Sequence, residues 1–485
     1  MRDSLFPISS APRAASGCVL AIWLALVASL SAAELHPSAG ATGINPDTPL
    51  RMAFAQEAVL GPQGRIEIVD TATGSVVETI DVSQPVAVQA IGGVPHFNYL
   101  PVIVSGREVT LYPRHGVLAY DRTYAVRIDP RVFPQAPAVL PADGWRFSTK
   151  AAPPDANAAR LIIAADGSGD FSTVQGAIDF IPTGNRLPRT LVLRPGTYTG
   201  IVSIVEKHAL TLIGEDRARS VIAYANNDRF NRNGVRAPVE GSGPDPSAAP
   251  ESANAPTYRR GVVIAHRTED LVLANLTVRN TTPQGGSQAE AVILNGATTA
   301  RTILREVDLF SYQDTLLVHG QAYVVGSRVE GDVDFLWGRG PAVFENCVFW
   351  SLRSDAYYTQ VRNAPGTHGF IFFNCRFDGV PGVEGNALSR IQAWRFPESE
   401  VVLVDCQIGP AVSPAGWLFQ AGPEGIGDVS KIRFWEINSR DLSGRPIDAS
   451  QRLPGSRRLD PVADAELIAR YRDPVALLGH GWNPR

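Results

Sequence analysis

Short apolar segments recur along the second half of this 485-residue chain, and each is followed by a small or polar residue suited to a turn. The segments are four to six residues long and rich in Val, Ile and Phe, which favours strands over helices. Aligning the turn residues gives intervals of 31, 21, 19, 28 and 31 residues, which fit a right-handed parallel β-helix whose loops vary in length. The aligned turn residues are Asn275, Glu306, Ser327, Asn346, Asn374 and Asp405.

Three cysteines, Cys347, Cys375 and Cys406, each follow one of these turn residues. The repeat therefore puts them at equivalent positions on nearby rungs, where we predict small buried side chains. A metal site is the alternative, but it would need a Cys-x-x-Cys pair or a close His, and these cysteines have neither. Their odd number argues against a disulfide-stapled scaffold. We expect no metal and no cofactor.

The first 33 residues have the features of a secretory signal peptide. Arg2 and Arg13 precede an apolar run from Cys18 to Leu30, and Ser31-Ala32-Ala33 supplies a small-x-small cleavage pattern. An uncleaved anchor is one alternative, although the run is short for a membrane span. A lipoprotein signal at Cys18 is another, but here the apolar run follows the cysteine. The sequence predicts a secreted or periplasmic bacterial protein.

Residues 40–150 alternate period-two apolar runs with turn signals, which predicts a β-sandwich of roughly a hundred residues. The opening Gly40-Ala-Thr-Gly and the closing Trp145-Arg-Phe-Ser-Thr resemble bacterial Ig-like modules. Such a module could bind polysaccharide or act as a spacer, and the spacer is favoured because no aromatic platform is evident. Residues 151–160, rich in Ala and Pro, are the predicted linker, and residues 161–485 form the β-helix domain.

Two short helices and one long loop complete the outline. Apolar residues in the segment Gly167–Ile181 have helical spacing and predict an amphipathic helix that covers the N-terminal end of the coil. A second helix is predicted from Pro461, ending before Pro474. The insertion 241–256 consists almost wholly of Gly, Ser, Ala and Pro, and predicts a mobile loop. The helical apolar residues are Phe171, Val174, Ala177, Ile178 and Ile181.

Two acidic motifs lie one predicted rung apart. Tyr312-Gln-Asp-Thr-Leu and Gly331-Asp-Val-Asp-Phe place Asp314 and Asp334 twenty residues apart. Since neighbouring strands are ~4.8 Å apart, these carboxylates would share one small patch of surface. Gln288 and Gln313, 25 residues apart, would add two amide donors there. Alternatively, these side chains are solvated groups on the exposed face of a β-helix.

Six motifs occur in an order that identifies a family. Residues 160–485 resemble the pectin methylesterases, and the resemblance implies a carbohydrate esterase on a β-helix. It implies that Asp334 is the nucleophile, that Asp314 is the general acid and then base, and that Arg390 is the partner of the nucleophile. Gln288 and Gln313 would be the oxyanion donors. The motifs begin at Asp166-Gly-Ser-Gly-Asp-Phe, Gly196-Thr-Tyr, Gln288-Ala-Glu-Ala, Tyr312-Gln-Asp-Thr-Leu, Gly331-Asp-Val-Asp-Phe and Pro414-Ala-Gly-Trp.

The residue types suit this chemistry. Ester hydrolysis needs an attacking group, donors for the developing oxyanion and a proton for the leaving methanol. Two nearby carboxyls can divide the roles of nucleophile and acid, because proximity to a second carboxylate raises one of the two pKa values. The substrate implied by the resemblance is methyl-esterified polygalacturonate, bound by a monomer.

Aromatic side chains beside the motifs could contact sugar rings. The candidates are Tyr312, Phe335, Trp337 and Trp394, with Trp337 and Trp394 favoured because each adjoins a catalytic segment.

The chain departs from the family in three places. It has Arg390-Ile-Gln-Ala-Trp394 for Arg-Pro-Trp, and we hypothesise that both residues still reach the cleft. Gly200 replaces a usual Glu and Trp337 a usual Phe, changes expected to alter substrate fit.

Other functions are less well supported. A serine esterase would need Gly-x-Ser-x-Gly, which is absent from the sequence, and His319, the histidine closest to the motifs, is interpreted as a surface or turn residue. A polygalacturonate lyase would need calcium-binding acids. A hydrolase of another ester or thioester, and a non-catalytic polysaccharide-binding β-helix, remain alternatives. The net charge of −4 makes nucleic acid and anionic membranes poor partners.

Overall fold

The computed structural model describes residues 33–135, 140, 144–232, 258–453 and 456–485. The predicted signal peptide, apart from its last residue, and the predicted mobile insertion 241–256 lie outside these ranges. Within the described ranges, no helix is long and apolar enough to cross a membrane.

The N-terminal part is a β-sandwich, as predicted. Its four-stranded sheet has the order β1-β3-β9-β8, its five-stranded sheet the order β2-β11-β10-β4-β5, and β6 and β7 form a separate hairpin. Leu50, Ile68, Trp145 and Phe147 pack in a common core between the sheets. The strands are β1 (Glu34–His36), β2 (Ala41–Ile44), β3 (Leu50–Ala53), β4 (Arg65–Asp70), β5 (Val76–Asp81), β6 (Ala87–Ile91), β7 (Val94–Tyr99), β8 (Val102–Ser105), β9 (Glu108–Leu111), β10 (Thr123–Ile128) and β11 (Trp145–Thr149).

The chain then winds through three long parallel sheets, which confirms the predicted parallel β-helix. Sheet 1 contains β12 (Arg160–Ile163), β13 (Arg189–Leu193), β16 (Leu210–Gly214), β19 (Leu271–Ala274), β22 (Arg301–Arg305), β25 (Gln321–Val325), β28 (Ala342–Glu345), β31 (Phe370–Phe373), β34 (Glu400–Val404), β37 (Arg433–Ile437) and β39 (Arg457–Arg458). Sheet 2 contains β14 (Gly196–Thr199), β17 (Ser220–Tyr224), β20 (Thr277–Asn280), β23 (Asp308–Phe310), β26 (Arg328–Gly331), β29 (Val348–Ser351), β32 (Arg376–Gly379), β35 (Gln407–Ile408) and β38 (Arg440–Asp441). Sheet 3 contains β15 (Val202–Val205), β18 (Val263–His266), β21 (Val292–Asn295), β24 (Leu316–Val318), β27 (Val333–Gly338), β30 (Tyr357–Val361), β33 (Ala387–Ile391) and β36 (Trp417–Phe419).

The predicted turn residues connect sheet 1 to sheet 2. They adopt a left-handed backbone, which Asn and Asp tolerate better than other non-glycine residues. One position was assigned wrongly: β25 and β28 pair Val325 with Glu345, so Gly326 (φ +60°), rather than Ser327, aligns with Asn346. The left-handed residues are Asn275, Glu306, Gly326, Asn346, Asn374, Asp405 and Asn438.

The residues that follow these turns point into the coil. Cys347, Cys375 and Cys406 are buried free thiols on successive rungs, as predicted. The N–H of Cys347 donates to Sγ of Cys375 over 3.4 Å. Burial beside its neighbours raises the pKa of the Cys375 thiol well above its usual value.

Helices cover the N-terminal end and one outer face of the coil. Helix α1 (Val174–Phe180) begins after Thr173, whose hydroxyl accepts the N–H of Gly176, and its predicted apolar face is buried against β12 and β15. Helix α2 (Ala465–Tyr471) ends before Pro474, as predicted, and α3 (Pro474–Leu478) follows it. Both C-terminal helices pack on sheet 1.

The sandwich is packed directly against this N-terminal end. Ile91 and Phe97 of the β6–β7 hairpin belong to the hydrophobic core of the β-helix. The Asp47 carboxylate accepts the backbone N–H groups of Ser172 and Thr173 over 3.0 and 2.8 Å, next to the start of α1. A spacer attached only through its linker would not share a core, so the sandwich is also part of the β-helix structure.

Candidate active site

Sheet 3 brings the two acidic motifs together. The N–H of Asp314 donates to the carbonyl of Val333 over 3.0 Å, and Gln313 forms a parallel bridge with Val333. Asp314 and Asp334 therefore lie on neighbouring rungs, as the twenty-residue spacing predicts. Both side chains are largely buried.

Both aspartates have an unusual backbone. Asp314 has φ +67° and Asp334 has φ +49°, in the left-handed region that few non-glycine residues adopt. A bulge between Val333 and Leu336 in the pairing of β27 with β30 contains Asp334. Such local strain and bulges are common at functional sites, where they redirect a side chain.

Arg390 binds the second carboxylate through a planar fork. Its Nε lies 2.7 Å from Oδ1 of Asp334 and its Nη2 lies 2.5 Å from Oδ2. Arg390 is on β33, two strands along sheet 3 from β27, and its guanidinium stacks over the ring of Tyr357 at 4.2 Å. The two extra residues after Arg390 therefore do not displace it from Asp334.

The first carboxylate is bound by a second arginine, which the sequence analysis missed. Nη2 of Arg260 lies 2.8 Å from Oδ2 of Asp314. The same guanidinium makes a bidentate contact with Glu290, at 2.9 Å for both Nε to Oε2 and Nη2 to Oε1, and Nη1 lies 3.3 Å from Oδ1 of Asp228. One guanidinium group thus contacts three carboxyl groups.

These surroundings separate the two aspartates electrostatically. Burial raises the pKa of Asp334, and the Arg390 hydrogen bonds and charge oppose this rise. Burial also raises the pKa of Asp314, to well above its usual value, and although Arg260 opposes this rise, the charges of Glu290 and Asp334 add to it. Asp314 is therefore the better proton donor and Asp334 the better carboxylate.

The two glutamines lie on adjoining rungs beside this pair. The N–H of Ala289 donates to the carbonyl of Gln313 over 3.1 Å, which places Gln288 next to the Gln313 strand. The carbonyl of Gln288 accepts the N–H of Asp228 over 3.0 Å. Both glutamine residues are half-buried.

The aromatic candidates separate into different environments. Phe335 as a sugar contact is wrong: it is fully buried in the β-helix core and packs on Tyr358, because the residue after the bulge points inward. Trp337 is also buried, between the guanidinium groups of Arg260 and Arg362.

The other two are accessible. Tyr312 is half-buried, next to Gln313. Trp394 is 46% exposed and lies against Gly422, where an added Cβ would be 2.5 Å from its Nε1. Gly200, one of the departures from the family pattern, lines a cavity of about 460 Å³ between the sandwich and the β-helix. Arg51 and Tyr112 line the same cavity.

His319 is not a surface residue, which corrects the sequence interpretation. It is buried, its Nε2 lies 2.8 Å from the hydroxyl of Tyr258, and its ring meets the edge of Trp337. Burial lowers the pKa of His319 to about 3, so the ring is neutral.

A signal for the missed residues exists in the sequence. Glu290 stands in the apolar run Ala289-Glu-Ala-Val-Ile-Leu, and a buried carboxylate requires a cation. Arg259 and Arg260 precede the apolar Gly-Val-Val-Ile of the preceding rung of sheet 3 and were the available partners. Among the described residues, no group of three or more His, Cys, Asp or Glu side chains could hold a metal ion.

Part of the chain is similar in sequence to known proteins. Residues 246–440 match the family model described as pectinesterase. Pectinesterase 31 of Arabidopsis thaliana is 28% identical over 301 residues, covering 61% of this chain and 86% of that protein. A pectinesterase of Ralstonia nicotianae is 26% identical over 325 residues, covering 58% of this chain and 79% of that protein.

Two solved structures have the same fold. Pectin methylesterase from carrot aligns with a TM-score of 0.53 and 20% identity, covering 68% of this chain and 94% of that one. Pectin methylesterase from Erwinia chrysanthemi aligns with a TM-score of 0.51 and 21% identity, covering 67% and 98%.

Proposed function

We propose that this chain, a carboxylic ester hydrolase with a pectinesterase domain at residues 246–440, hydrolyses the methyl esters of polygalacturonate to pectate and methanol. The observation that carries the assignment of residues is the pair formed by Asp314 and Asp334 on adjoining rungs, each bound by its own arginine.

In the proposed first step, Asp334 attacks the ester carbonyl carbon as a carboxylate. Its fork with Arg390 favours the ionised form and fixes its orientation. The negative charge that develops on the carbonyl oxygen is stabilised by the side-chain amides of Gln288 and Gln313, which are neutral donors and leave the charges of the carboxyl pair undisturbed.

The tetrahedral intermediate then loses methanol. Asp314, protonated, gives its proton to the methoxy oxygen, and an anhydride between Asp334 and the galacturonate carboxyl remains. Asp314, now ionised, takes a proton from water as the water attacks this anhydride. The acid product leaves, Asp334 is again a carboxylate, and Asp314 again carries its proton.

The proposal also covers where the protein acts, what it binds and which aromatic side chains contact the sugar. The signal-like N-terminus supports action outside the cytoplasm, where plant polysaccharide is found. We propose that the protein acts there as a monomer, and its net charge of −4 disfavours nucleic-acid and anionic-membrane partners. Of the aromatic side chains, Trp394 and Tyr312 are accessible enough to contact sugar rings, while Trp337 is buried.

The test is methanol release from highly methylated pectin in calcium-free buffer by the protein without its signal peptide, compared with Asp334→Asn. We expect activity in the wild type and a loss of at least about a thousandfold in Asp334→Asn, because the amide is a poor nucleophile. Asp355→Asn is the matched control, since Asp355 also has a left-handed backbone but is exposed.

The outcomes separate the remaining alternatives. Near-normal hydrolysis by a folded Asp334→Asn protein would contradict the assignment of the nucleophile. A folded wild type that releases no methanol from pectin but cleaves another ester or thioester would contradict the substrate. Binding to pectin without any hydrolysis would indicate a non-catalytic β-helix.

A further inference from the structure

We propose that Arg260, held in place by Glu290, is a positioning residue for Asp314: it binds Oδ2 of that carboxyl and leaves Oδ1 to exchange protons with the leaving alcohol and the attacking water. This inference rests on the proposed function, in which Asp314 is the acid and base. It adds to the site a pair of residues that does not itself touch the ester.

The orientation of Arg260 is fixed by the protein. Its fork with Glu290 uses Nε and Nη2, and Glu290 is completely buried, so this carboxylate has no solvent to exchange with. The guanidinium is planar, and the Glu290 fork therefore sets the direction of the Nη2 donor that reaches Asp314. A lysine at this position could supply the charge but not this direction.

Arg260 is engaged by carboxylates of the protein itself. All three of its nitrogens already donate to carboxylates: Nε and Nη2 to Glu290, Nη2 to Asp314 and Nη1 to Asp228. Within the described part of the chain, Oδ1 of Asp314 has no hydrogen-bond partner. One oxygen of the acid is thus held and the other is available, as a group that transfers a proton twice requires.

Opposing charges act on Asp314 in this cluster. The charged groups that act on it include Arg260, Glu290, Asp334, Arg362 and Arg390. A positive neighbour favours the carboxylate and a negative neighbour favours the protonated acid. Removing the charge of Arg260 should therefore hold the proton on Asp314 to higher pH, and removing the charge of Glu290 should release it at lower pH.

These opposite effects provide the test. The pH dependence of kcat/KM for methanol release from soluble methyl-esterified oligogalacturonates is measured for the wild type, Arg260→Gln and Glu290→Gln. The alkaline limb reports deprotonation of Asp314. We expect it to move up by about one pH unit in Arg260→Gln and down by about one unit in Glu290→Gln. Arg267→Gln is the control, because Arg267 comes just after strand β18, as Arg260 comes just before it, but is exposed and paired with Glu206.

A merely structural ion pair would lower activity or stability without moving the limb in opposite directions. Folded variants with an unmoved limb, or with limbs moved in the same direction, would overturn the inference while leaving the proposed function intact. A folded wild type that releases no methanol would overturn both.

Two milder variants keep the inference testable if Arg260→Gln or Glu290→Gln fails to fold. Arg260→Lys should keep the limb near its wild-type position and lower kcat, because the charge is retained and the fork is lost. The Asp228 side chain is 26% exposed and also contacts Arg260. Asp228→Asn should move the alkaline limb to slightly lower pH, because the charge of Arg260 is then shared among one carboxylate fewer. The reverse shift in Asp228→Asn, or an upward shift in Arg260→Lys as large as that predicted for Arg260→Gln, would overturn the inference.

Discussion

Arg390 donates to both oxygens of Asp334, from Nε over 2.7 Å and from Nη2 over 2.5 Å, across two strands of sheet 3. This fork fixes the plane of the carboxylate and favours its ionised form. Because Asp334 lies in a bulge with a left-handed backbone, its side chain is directed towards Arg390 and not into the core.

Replacing Arg390 by lysine should keep the charge and lose the fork. We expect kcat to fall by about tenfold to a hundredfold, since one charge-assisted hydrogen bond is worth about 1.5–3 kcal/mol. The pKa of Asp334 should rise, because its ionised form loses a donor, and the acid limb of the kcat/KM profile should move to higher pH. Methanol release between pH 4 and 9 measures both effects.

The control for this variant is Arg328→Lys, in which the altered ion pair joins Arg328 to Glu330 on sheet 2. An Arg390→Lys enzyme with unchanged kcat and an unchanged acid limb would show that the fork contributes nothing to the reaction.

The oxyanion assignment can be tested with Gln313→Leu, which removes an amide donor at similar volume. We expect kcat to fall by about a hundredfold to a thousandfold with a smaller change in KM, because the donor acts mainly on the charge of the transition state. Gln284→Leu is the matched control, since the Gln284 amide donates to Asp332. Equal losses in the two variants would point to disturbed packing and not to a lost oxyanion donor.

The sequence predicted the acidic pair because residues that are one turn of a β-helix apart in sequence lie next to each other on neighbouring rungs. Asp314, Asp334 and Gln313 could be found in this way, and Arg390 through the family resemblance. The carboxylate of Glu290 inside an apolar run indicates a nearby cation, but Arg260 could not be assigned to a rung from the sequence, since the insertion 241–256 just before it obscures the count of rungs.

Other errors arose where the packing departs from the regular pattern. Phe335 follows a bulge that turns it inward, and no strand periodicity indicates a bulge. His319 is buried because Tyr258 and Trp337 enclose it, and Tyr258 comes from another rung. Such contacts depend on the three-dimensional register and not on local sequence.

Acid should destabilise the fold through His266. This side chain is buried and neutral, with its Nε2 3.1 Å from the carbonyl of Tyr258 and its Nδ1 2.9 Å from Nδ2 of Asn295. Burial lowers its pKa from 6.5 to about 4. The unfolded chain therefore binds a proton that the folded chain does not between these values, so this stability is complete above pH 6.5 and is lost as the pH falls towards 4. The loss is about 3 kcal/mol.

Urea unfolding at pH 7.5 and pH 4.5 measures this effect. The His266→Gln variant should be less stable at pH 7.5 but should lose less stability between the two pH values than the wild type. His480→Gln, which alters an exposed histidine, should follow the wild type. An equal pH dependence in His266→Gln and the wild type would show that other groups cause the acid sensitivity.

The docked sandwich should stabilise the β-helix through Phe97. This ring is completely buried in the β-helix core, although it belongs to the N-terminal module. Phe97→Ala should cost about 3–5 kcal/mol, because it leaves a cavity at the end of the coil. Val88→Ala, on the paired strand β6 but with a 52% exposed side chain, is the control. If the module were only a spacer, Phe97→Ala would unfold the sandwich at lower urea and leave the unfolding of the β-helix unchanged. The β-helix transition is followed by tryptophan fluorescence in a Trp145→Phe background, because Trp145 belongs to the sandwich core. A shift of the β-helix transition to lower urea in Phe97→Ala alone would establish that the two parts unfold as one coupled structure.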